Sequence, residues 1–342
     1  MKKFLFGLAT LVLFASCSQN ETIEVSKGNA IEFQNAFVDN ATRSAYDPSI
    51  TKSTLGAFYV YGFMDETSAM VFNKEKVSST DGGSTWSYQN KQYWSPDHTY
   101  YFAALAPVDK YTLDITNVNK EGIGKVTFVN DGKTDLLYDA LSVTTPATLT
   151  SQPAAVAFTF RHLLSKVKFS FVNSLDNANA TIRVKAIKIT NAHTDAKIDL
   201  ANLTWWTNLN AWDIDDTKEA TFDFGNAAVA SASAEEKIMK GTEIESYNEM
   251  LLFPQEAEEL TVKFTIELLY GDKVADTYDH TLNLTQTLKM GYCYDFKATV
   301  TARNIDPNAA LYPIEFTVTE VNNWMQEGNP AGEVSVTLPT RP

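Results

Sequence analysis

The chain has 342 residues and a formal net charge of −14, from 42 acidic and 28 basic residues. An acidic chain with no basic cluster is a poor partner for nucleic acid and for anionic lipid headgroups. Aromatic residues make up 12% of the sequence, and only 4 histidines and 2 cysteines occur. This composition favours a β-rich protein over a metalloenzyme.

The N-terminus has the order of a secretory signal. The basic residues of Met1–Lys3 precede the apolar run Phe4–Phe14, which is shorter than the roughly 20 residues that a membrane-spanning helix needs. The string LFASC that ends at Cys17 resembles a bacterial lipobox, whose cysteine receives a diacylglycerol before cleavage. We therefore predict a signal peptide over residues 1–16, a lipid on Cys17 and a polar leash over residues 17–30. The alternative is an ordinary secretory signal with an incidental cysteine.

Alternating apolar and polar residues dominate the chain from Ile31 onward, and a period of two predicts half-buried β-strands. In Leu260–Tyr270, for example, the even-numbered residues from Val262 to Leu268 are apolar and share one face. The alternation slips at Ala186–Ile187, which predicts a β-bulge. Strands are also predicted over Ile31–Val38, Ala57–Met64, Tyr100–Ala106, Lys125–Asn130, Val156–Phe160, Val167–Phe171, Ile182–Ile189, Met250–Phe253, Tyr292–Val300 and Ile314–Thr319.

Two segments depart from the strand pattern. Asn226–Lys240 has weak periodicity, and its alanines and charges leave a short helix and a loop equally open. Thr144–Ala155 contains two prolines and no charge, which predicts a break between domains. We place an N-terminal domain over residues 31–153 and a C-terminal domain over residues 154–342.

Catalytic and metal-binding motifs are missing from the sequence. The four histidines are widely spread, and no nucleophile, phosphate-binding or zinc motif occurs, so we predict no enzyme activity and no cofactor. Asp213, Asp215 and Asp216 could offer oxygen ligands to calcium, but the glycine and terminal glutamate of a calcium loop are absent. We predict no metal site. A β-sandwich hydrolase stays open only because its carboxylate pair could come from distant strands.

Three tryptophans lie close together in the sequence: Trp205, Trp206 and Trp212. Exposed aromatic rings beside amide side chains can stack sugars, so these residues are candidate glycan contacts. The alternative is that they fill or cover the core of a β-sandwich.

The succession of landmarks along the chain resembles the fimbrillin family of Bacteroidetes, the Mfa-like and FimA-like lipoproteins that build type V pili. The resemblance covers nearly the whole chain, and no single string is diagnostic. The landmarks, in chain order, are the lipobox at Cys17, IEFQNAF at Ile31–Phe37, TRSA at Thr42–Ala45, LGAFYVYGFM at Leu55–Met64, YYFAALAP at Tyr100–Pro107, DLLYDA at Asp135–Ala140, FTFRHLLSKVKFSF at Phe158–Phe171, LLFPQ at Leu251–Gln255, MGYCYDF at Met290–Phe296 and IEFTVTEVNNW at Ile314–Trp324.

The resemblance implies an all-β fold of two tandem transthyretin-like β-sandwich domains. It also implies that a protease cuts after an arginine in an early loop, removes the first strand and opens a groove for a strand of the next subunit. Arg43 stands in that position, so residues 31–43 contain the removable strand. Ile314, Phe316 and Val318, within residues 314–319, are the candidate donor strand. In the alternative, the first strand stays in place and Arg43 is an ordinary loop residue.

From the resemblance we expect a structural and adhesive pilus subunit, exported as an outer-membrane lipoprotein to the cell surface or fimbrium. Its partners would be other fimbrillin subunits, the same or different, together with the outer membrane through Cys17 and a host or bacterial surface ligand. The competing hypothesis is a monomeric surface lipoprotein that binds glycans through its tryptophans.

Overall fold

The computed structural model describes residues 29–34, 37–38, 48–51, 53–65, 69–114, 123–203, 211–309, 312–321 and 334–338. Within them the chain forms twenty β-strands and one 3-10 turn, Leu200–Asn202, and no α-helix. The all-β prediction is therefore confirmed. The strands are β1 (Phe37–Val38), β2 (Ala57–Met64), β3 (Ala69–Ser78), β4 (Thr99–Ala106), β5 (Tyr111–Asp114), β6 (Lys125–Val129), β7 (Leu137–Thr144), β8 (Thr159–His162), β9 (Ser165–Asn173), β10 (Ala180–His193), β11 (Asp195–Asp199), β12 (Trp212–Ile214), β13 (Glu219–Gly225), β14 (Glu243–Glu245), β15 (Met250–Leu252), β16 (Gln255–Tyr270), β17 (Lys273–Leu288), β18 (Cys293–Val300), β19 (Phe316–Val321) and β20 (Val334–Leu338).

The first pair of sheets encloses one hydrophobic core. A six-stranded sheet has the order β1-β8-β7-β4-β2-β3, and a four-stranded sheet has the order β12-β11-β6-β5. Tyr61 and Tyr138 of the first sheet pack with Phe128 and Ile198 of the second, and all four are buried. Because side chains alternate along a strand, the neighbours of these residues point to the other face of the six-stranded sheet.

That other face is also apolar, and segments outside the strands cover it. The covering residues include Ile31 and Phe33 near the start of the described chain, together with Tyr88 and Trp94. The strand residues beneath them are buried by this cover: Phe58, Val60, Phe72, Tyr100, Phe102 and Phe160. The six-stranded sheet is thus buried on both faces.

The second pair of sheets encloses a separate core. One sheet has the order β13-β10-β16-β17, and the other has the order β14-β9-β18-β19-β20, with β15 also pairing with β9. The aromatic rings of Phe169, Phe264, Phe296 and Phe316 meet at its centre. Strand β9 pairs in parallel with β18 at the middle of the second of these sheets.

Among the described strands, the chain passes between the two pairs of sheets three times. It leaves the first pair through the short connection between β8 and β9, returns when β11 pairs with β6, and leaves again between β12 and β13. Strands β8, β11 and β12 therefore belong to the first pair of sheets, although they follow the predicted boundary at residues 153 and 154. Strand pairing does not divide the chain at that boundary, and the transthyretin-like topology of the domains stays a prediction.

Most of the strands predicted from alternation are present. Strand β2 has the predicted bounds, Ala57–Met64, and β16 contains the predicted Leu260–Tyr270. Asn226–Lys240 forms no helix and makes only isolated bridges, at Ala227, Ile238 and Lys240. The loop alternative for this segment is therefore correct.

The predicted bulge is confirmed in β10. Lys185 lies opposite Thr265 and Lys188 lies opposite Lys263, so two residues of β10 face one residue of β16. Ala186 has a φ of 53°, the left-handed conformation that such a bulge usually assigns to glycine. Its amide donates a hydrogen bond to Asn226 Oδ1 at 3.0 Å, which helps to hold this conformation.

We predict that Ala186→Gly raises the free energy of unfolding by up to about 1 kcal/mol, because glycine adopts positive φ without the steric cost that alanine has. The matched control is Ala140→Gly, at an exposed and regularly paired position in β7 where glycine should lower stability by about 0.5–1 kcal/mol. Chemical denaturation measures both. Equal destabilisation by the two substitutions would contradict the strain assigned to Ala186.

Candidate functional site

Residues 29–34 lie across the covered face of the six-stranded sheet and are hydrogen-bonded along one edge to residues 92–94. The Ile31 amide donates to the Gln92 carbonyl at 2.8 Å, and the Trp94 amide donates to the Asn29 carbonyl at 2.9 Å. These bonds flank an antiparallel bridge between Ala30 and Tyr93. The segment therefore adds to this edge as a strand does.

The other edge of the segment is bonded in parallel to the chain that leads into β8. The Val156 amide donates to the Glu32 carbonyl at 2.7 Å, and the Gln34 amide donates to the Val156 carbonyl at 3.0 Å. Further along, β1 continues the same parallel pairing with β8, where Phe37 lies opposite Thr159. Two edges thus supply the backbone partners of one short segment.

The side chains of the segment alternate between the core and the solvent. Ile31 is fully buried and Phe33 is 5% exposed, whereas Glu32 and Gln34 are exposed. The hydroxyl of Tyr88 donates to the Ile31 carbonyl at 2.6 Å, so a buried side chain also satisfies this backbone group. The segment has the pattern of a strand with one buried face.

The ring of Phe33 is enclosed by aromatic side chains. Their centroids lie 5.4–6.4 Å away, mostly in edge-to-face arrangements, which are favourable for aromatic pairs. We call the groove that holds residues 29–34 the first-strand slot. Its edges are residues 92–94 and Val156, and its aromatic lining is Phe58, Phe72, Tyr88, Phe102 and Phe158.

Gly62 of β2 makes room for this lining. A Cβ atom at position 62 would lie 2.8 Å from a ring carbon of Phe72 and 3.3 Å from a ring carbon of Phe102. Real Cβ atoms do not approach so closely, so any larger residue would push one ring toward Phe33. The shape of the aromatic lining depends on the absence of a side chain here.

Two titratable groups near the slot respond to burial. Desolvation raises the pKa of the Tyr88 hydroxyl, which keeps it protonated as the donor to Ile31. Desolvation also raises the pKa of Asp139 to about 6, against the opposing effect of the hydrogen bond from the Thr159 amide.

Several residues that the sequence analysis singled out lie outside the described residues: Cys17, Arg43, Trp205 and Trp206. The candidate glycan contact at Trp212 is described, and the structure does not support it. Trp212 is 7% exposed, its indole donates to the Leu163 carbonyl at 2.8 Å, and its ring packs on Phe253 at 4.8 Å. It is a core residue of the first pair of sheets, with no free face for a sugar ring.

The predicted donor residues Ile314, Phe316 and Val318 are buried in the second core. Phe316 and Val318 lie in β19, which pairs with β18 on one side and β20 on the other. The alternation at this segment was predicted correctly, but its apolar face fills the core of its own chain. By contrast, among the described strands β20 pairs only with β19 and forms the edge of its sheet.

The part of the chain that the structure describes contains no group of three or more histidine, cysteine, aspartate or glutamate residues placed to hold a metal ion. Of the candidate calcium ligands, Asp215 accepts hydrogen bonds from the Thr217 amide and hydroxyl, at 3.0 and 2.6 Å. In the same described residues, no helix is long and apolar enough to cross a membrane.

Alternation in the sequence identified Ile31 and Phe33 as buried, but it did not identify the residues that enclose them. The lining comes from five separate parts of the chain between Phe58 and Phe158. The one signal in the sequence was the high density of aromatic residues in these parts. This density does not show which aromatic residues contact one another.

We predict that Phe33→Ala lowers the free energy of unfolding by about 3–5 kcal/mol, because it leaves a cavity among aromatic rings. Glu32→Ala is the matched control in the same segment. Its side chain is exposed, so the change should stay within about 0.5 kcal/mol. A loss below about 1 kcal/mol for Phe33→Ala, measured by chemical denaturation, would show that the segment does not complete the core.

The chain is similar to several known proteins. Among solved structures, the chain is similar to a proposed cell adhesion protein from Bacteroides ovatus, with a TM-score of 0.49 and 14% identity over 86% of this chain and 96% of that one. A proposed cell adhesion protein from Bacteroides uniformis gives 0.47 and 14% over 86% and 98%. A fimbrial assembly protein from Parabacteroides distasonis gives 0.41 and 10% over 84% and 95%.

A search of curated protein sequences finds no match. The family model described as fimbrillin-like matches residues 42–324, which is most of the 342-residue sequence. The chain belongs to the fimbrillin-like family.

Proposed function

We propose that this protein is a structural and adhesive subunit of a cell-surface pilus, and that subunits join by exchanging a strand at the first-strand slot. The observation that carries this proposal is the seating of residues 29–34. They fill an apolar groove and lie upstream of Arg43, so one cut at that arginine would separate the cover from the rest of the chain. The role is structural rather than catalytic.

Loss of the segment would create a binding site for another strand. The Gln92 carbonyl, the Trp94 amide and both backbone groups of Val156 would lose their partners, and the aromatic lining around Phe33 would face water. An added β-strand forms hydrogen bonds with an exposed strand edge and fills an apolar pocket with its side chains. A strand with a bulky apolar residue in place of Phe33 would restore both.

Cys17 and the segment lie on the same side of Arg43. A lipid on Cys17 would anchor the exported precursor at the outer membrane, since two or more acyl chains give stable membrane attachment. A cut at Arg43 would then release the body of the protein from its anchor when the slot opens. Without the cut, Cys17 would remain a permanent attachment point.

We propose β20 as the donor, in place of Ile314, Phe316 and Val318. Withdrawing β19 would break its pairing on both sides and remove Phe316 from contacts with Phe169, Phe264 and Phe296. Withdrawing β20 would break only one pairing. Its sequence, VSVTL, alternates apolar and hydroxyl-bearing residues, as a strand that fills a groove requires.

No observation on the described residues favours the glycan-binding alternative. It now depends on Trp205 and Trp206, because the ring of Trp212 is enclosed in the core.

Treating the purified precursor with an arginine-specific protease tests the proposal. We expect one cut after Arg43, loss of the lipid-bearing fragment from the body, and SDS-resistant ladders as strands exchange. Arg43→Gln should abolish the cut, the release from membranes and the ladders together. Immunoblots of membrane and soluble fractions and SDS gels without heating measure these results.

A truncated variant that ends at residue 333 tests the opening of the slot and the donation of a strand separately. It lacks β20, so it should be cut normally and yet form no ladder on its own. A protected Arg43 and a strictly monomeric product would contradict the proposed assembly, and ladders from the shortened chain would exclude β20 as the donor.

A further inference from the structure

Two buried polar pairs lie where the chain passes from the first pair of sheets to the second. His162 Nδ1 and Asp135 Oδ2 are 2.8 Å apart, and both side chains are fully buried. Lys166 Nζ and Glu249 Oε2 are 3.2 Å apart, with exposures of 2% and 1%. His162 and Lys166 stand on either side of the short connection between β8 and β9.

The two pairs contact two adjacent residues, one each. The Ile50 amide donates to Asp135 Oδ2 at 2.9 Å, and Lys166 Nζ donates to Ser49 Oγ at 3.1 Å. We call this set of contacts the Ser49–Ile50 clamp. Its four charged or polar anchors come from positions 85 to 200 residues later in the sequence.

The cost of burying such groups suggests that the clamp has a use beyond stability. Buried ion pairs contribute less to stability than well-packed apolar residues of similar size, although breaking one is strongly destabilising. Buried polar pairs are better suited to fixing the position of one particular partner, because each hydrogen bond has a required geometry. Here that partner is the segment Pro48–Thr51, whose residues are only partly buried. The side chain of Ile50 also packs against the core around the slot, so the polar pairs act together with this apolar contact.

The clamp lies in the sequence between the proposed cleavage site and the first residues of the core around the slot. Ser49 is six residues after Arg43, and Leu55 and Phe58, which belong to the core around the first-strand slot, follow soon after. We propose that the Ser49–Ile50 clamp holds the processed chain in place when the residues up to Arg43 leave. This proposal rests on the proposed function, because it needs a cut at Arg43.

The clamp has a direct consequence for the slot. Without a fixed point after the cut, the new N-terminus would be free to loosen Leu55 and the beginning of β2, and the pocket around Phe33 would lose one wall. With the clamp, Phe58 and Leu55 keep their positions while Phe33 departs. The slot is then open and still shaped for a partner strand.

Hydrogen exchange measured by mass spectrometry, on the full chain before and after the arginine-specific cut, tests the clamp. In the wild-type protein, exchange at residues 48–51 should change less than twofold on cutting. Ser49→Ala should raise this exchange at least tenfold in the cut protein, and Asp135→Ala should do the same by removing the acceptor of the Ile50 amide. Ser142→Ala, at an exposed position in β7, is the matched control and should have no effect.

Asp135→Ala removes a buried charge partner and could unfold the protein, so amides in β17 report global stability, and Ser49→Ala is the milder variant. If Arg43 is cut and ladders form, but residues 48–51 exchange freely in wild type, the clamp is wrong and the proposed function stands. An equal effect of Ser142→Ala also overturns the clamp. If Arg43 is not cut, the proposed processing fails, and the role of the clamp fails with it.

Discussion

The second apolar face of the six-stranded sheet is the constraint on which the rest of the structure depends. One face of that sheet is buried against the sheet of β5, β6, β11 and β12, but in the part of the chain that the structure describes, no second sheet lies against the face that carries Phe58, Phe102 and Phe160. An apolar surface of this kind attracts other proteins if it is left exposed. The chain covers it with loops and with residues 29–34, and Phe33 fills the centre of the aromatic cluster.

The cover and the body of the protein are held by different kinds of contact. Residues 29–34 are joined to their neighbours by a few backbone bonds and two buried side chains, whereas Ser49 and Ile50 are tied to buried polar pairs. The proposed cut lies between these two attachments. A chain arranged in this way can lose the cover without losing the sheet beneath it, which is what an exchange of strands requires.

Local alternation in the sequence predicted much of the fold, because burial of one strand face has a period of two. It located β2 and β16, the bulge at Ala186, and the buried pair Ile31 and Phe33. It could not predict that β11 returns to pair with β6, since pairing over that distance leaves no local pattern. The same limit applied to the donor: alternation in β19 shows that one face is buried, but a strand in its own sheet and a strand given to a neighbour have the same pattern. Trp212 was misjudged as a glycan contact because its partners Leu163 and Phe253 are distant in sequence.

Locking the first segment in its slot tests most directly whether assembly depends on its departure. Ala30 and Tyr93 form an antiparallel pair flanked by the hydrogen bonds of Ile31 and Trp94, an arrangement with Cα atoms about 4.5 Å apart, within the range for a disulfide. In the double variant Ala30→Cys and Tyr93→Cys, cutting after Arg43 should give no ladders while the disulfide between positions 30 and 93 is intact. Adding a reductant should then restore the ladders. Ladders that form equally well with the disulfide closed would show that subunits join elsewhere and would contradict exchange at the first-strand slot.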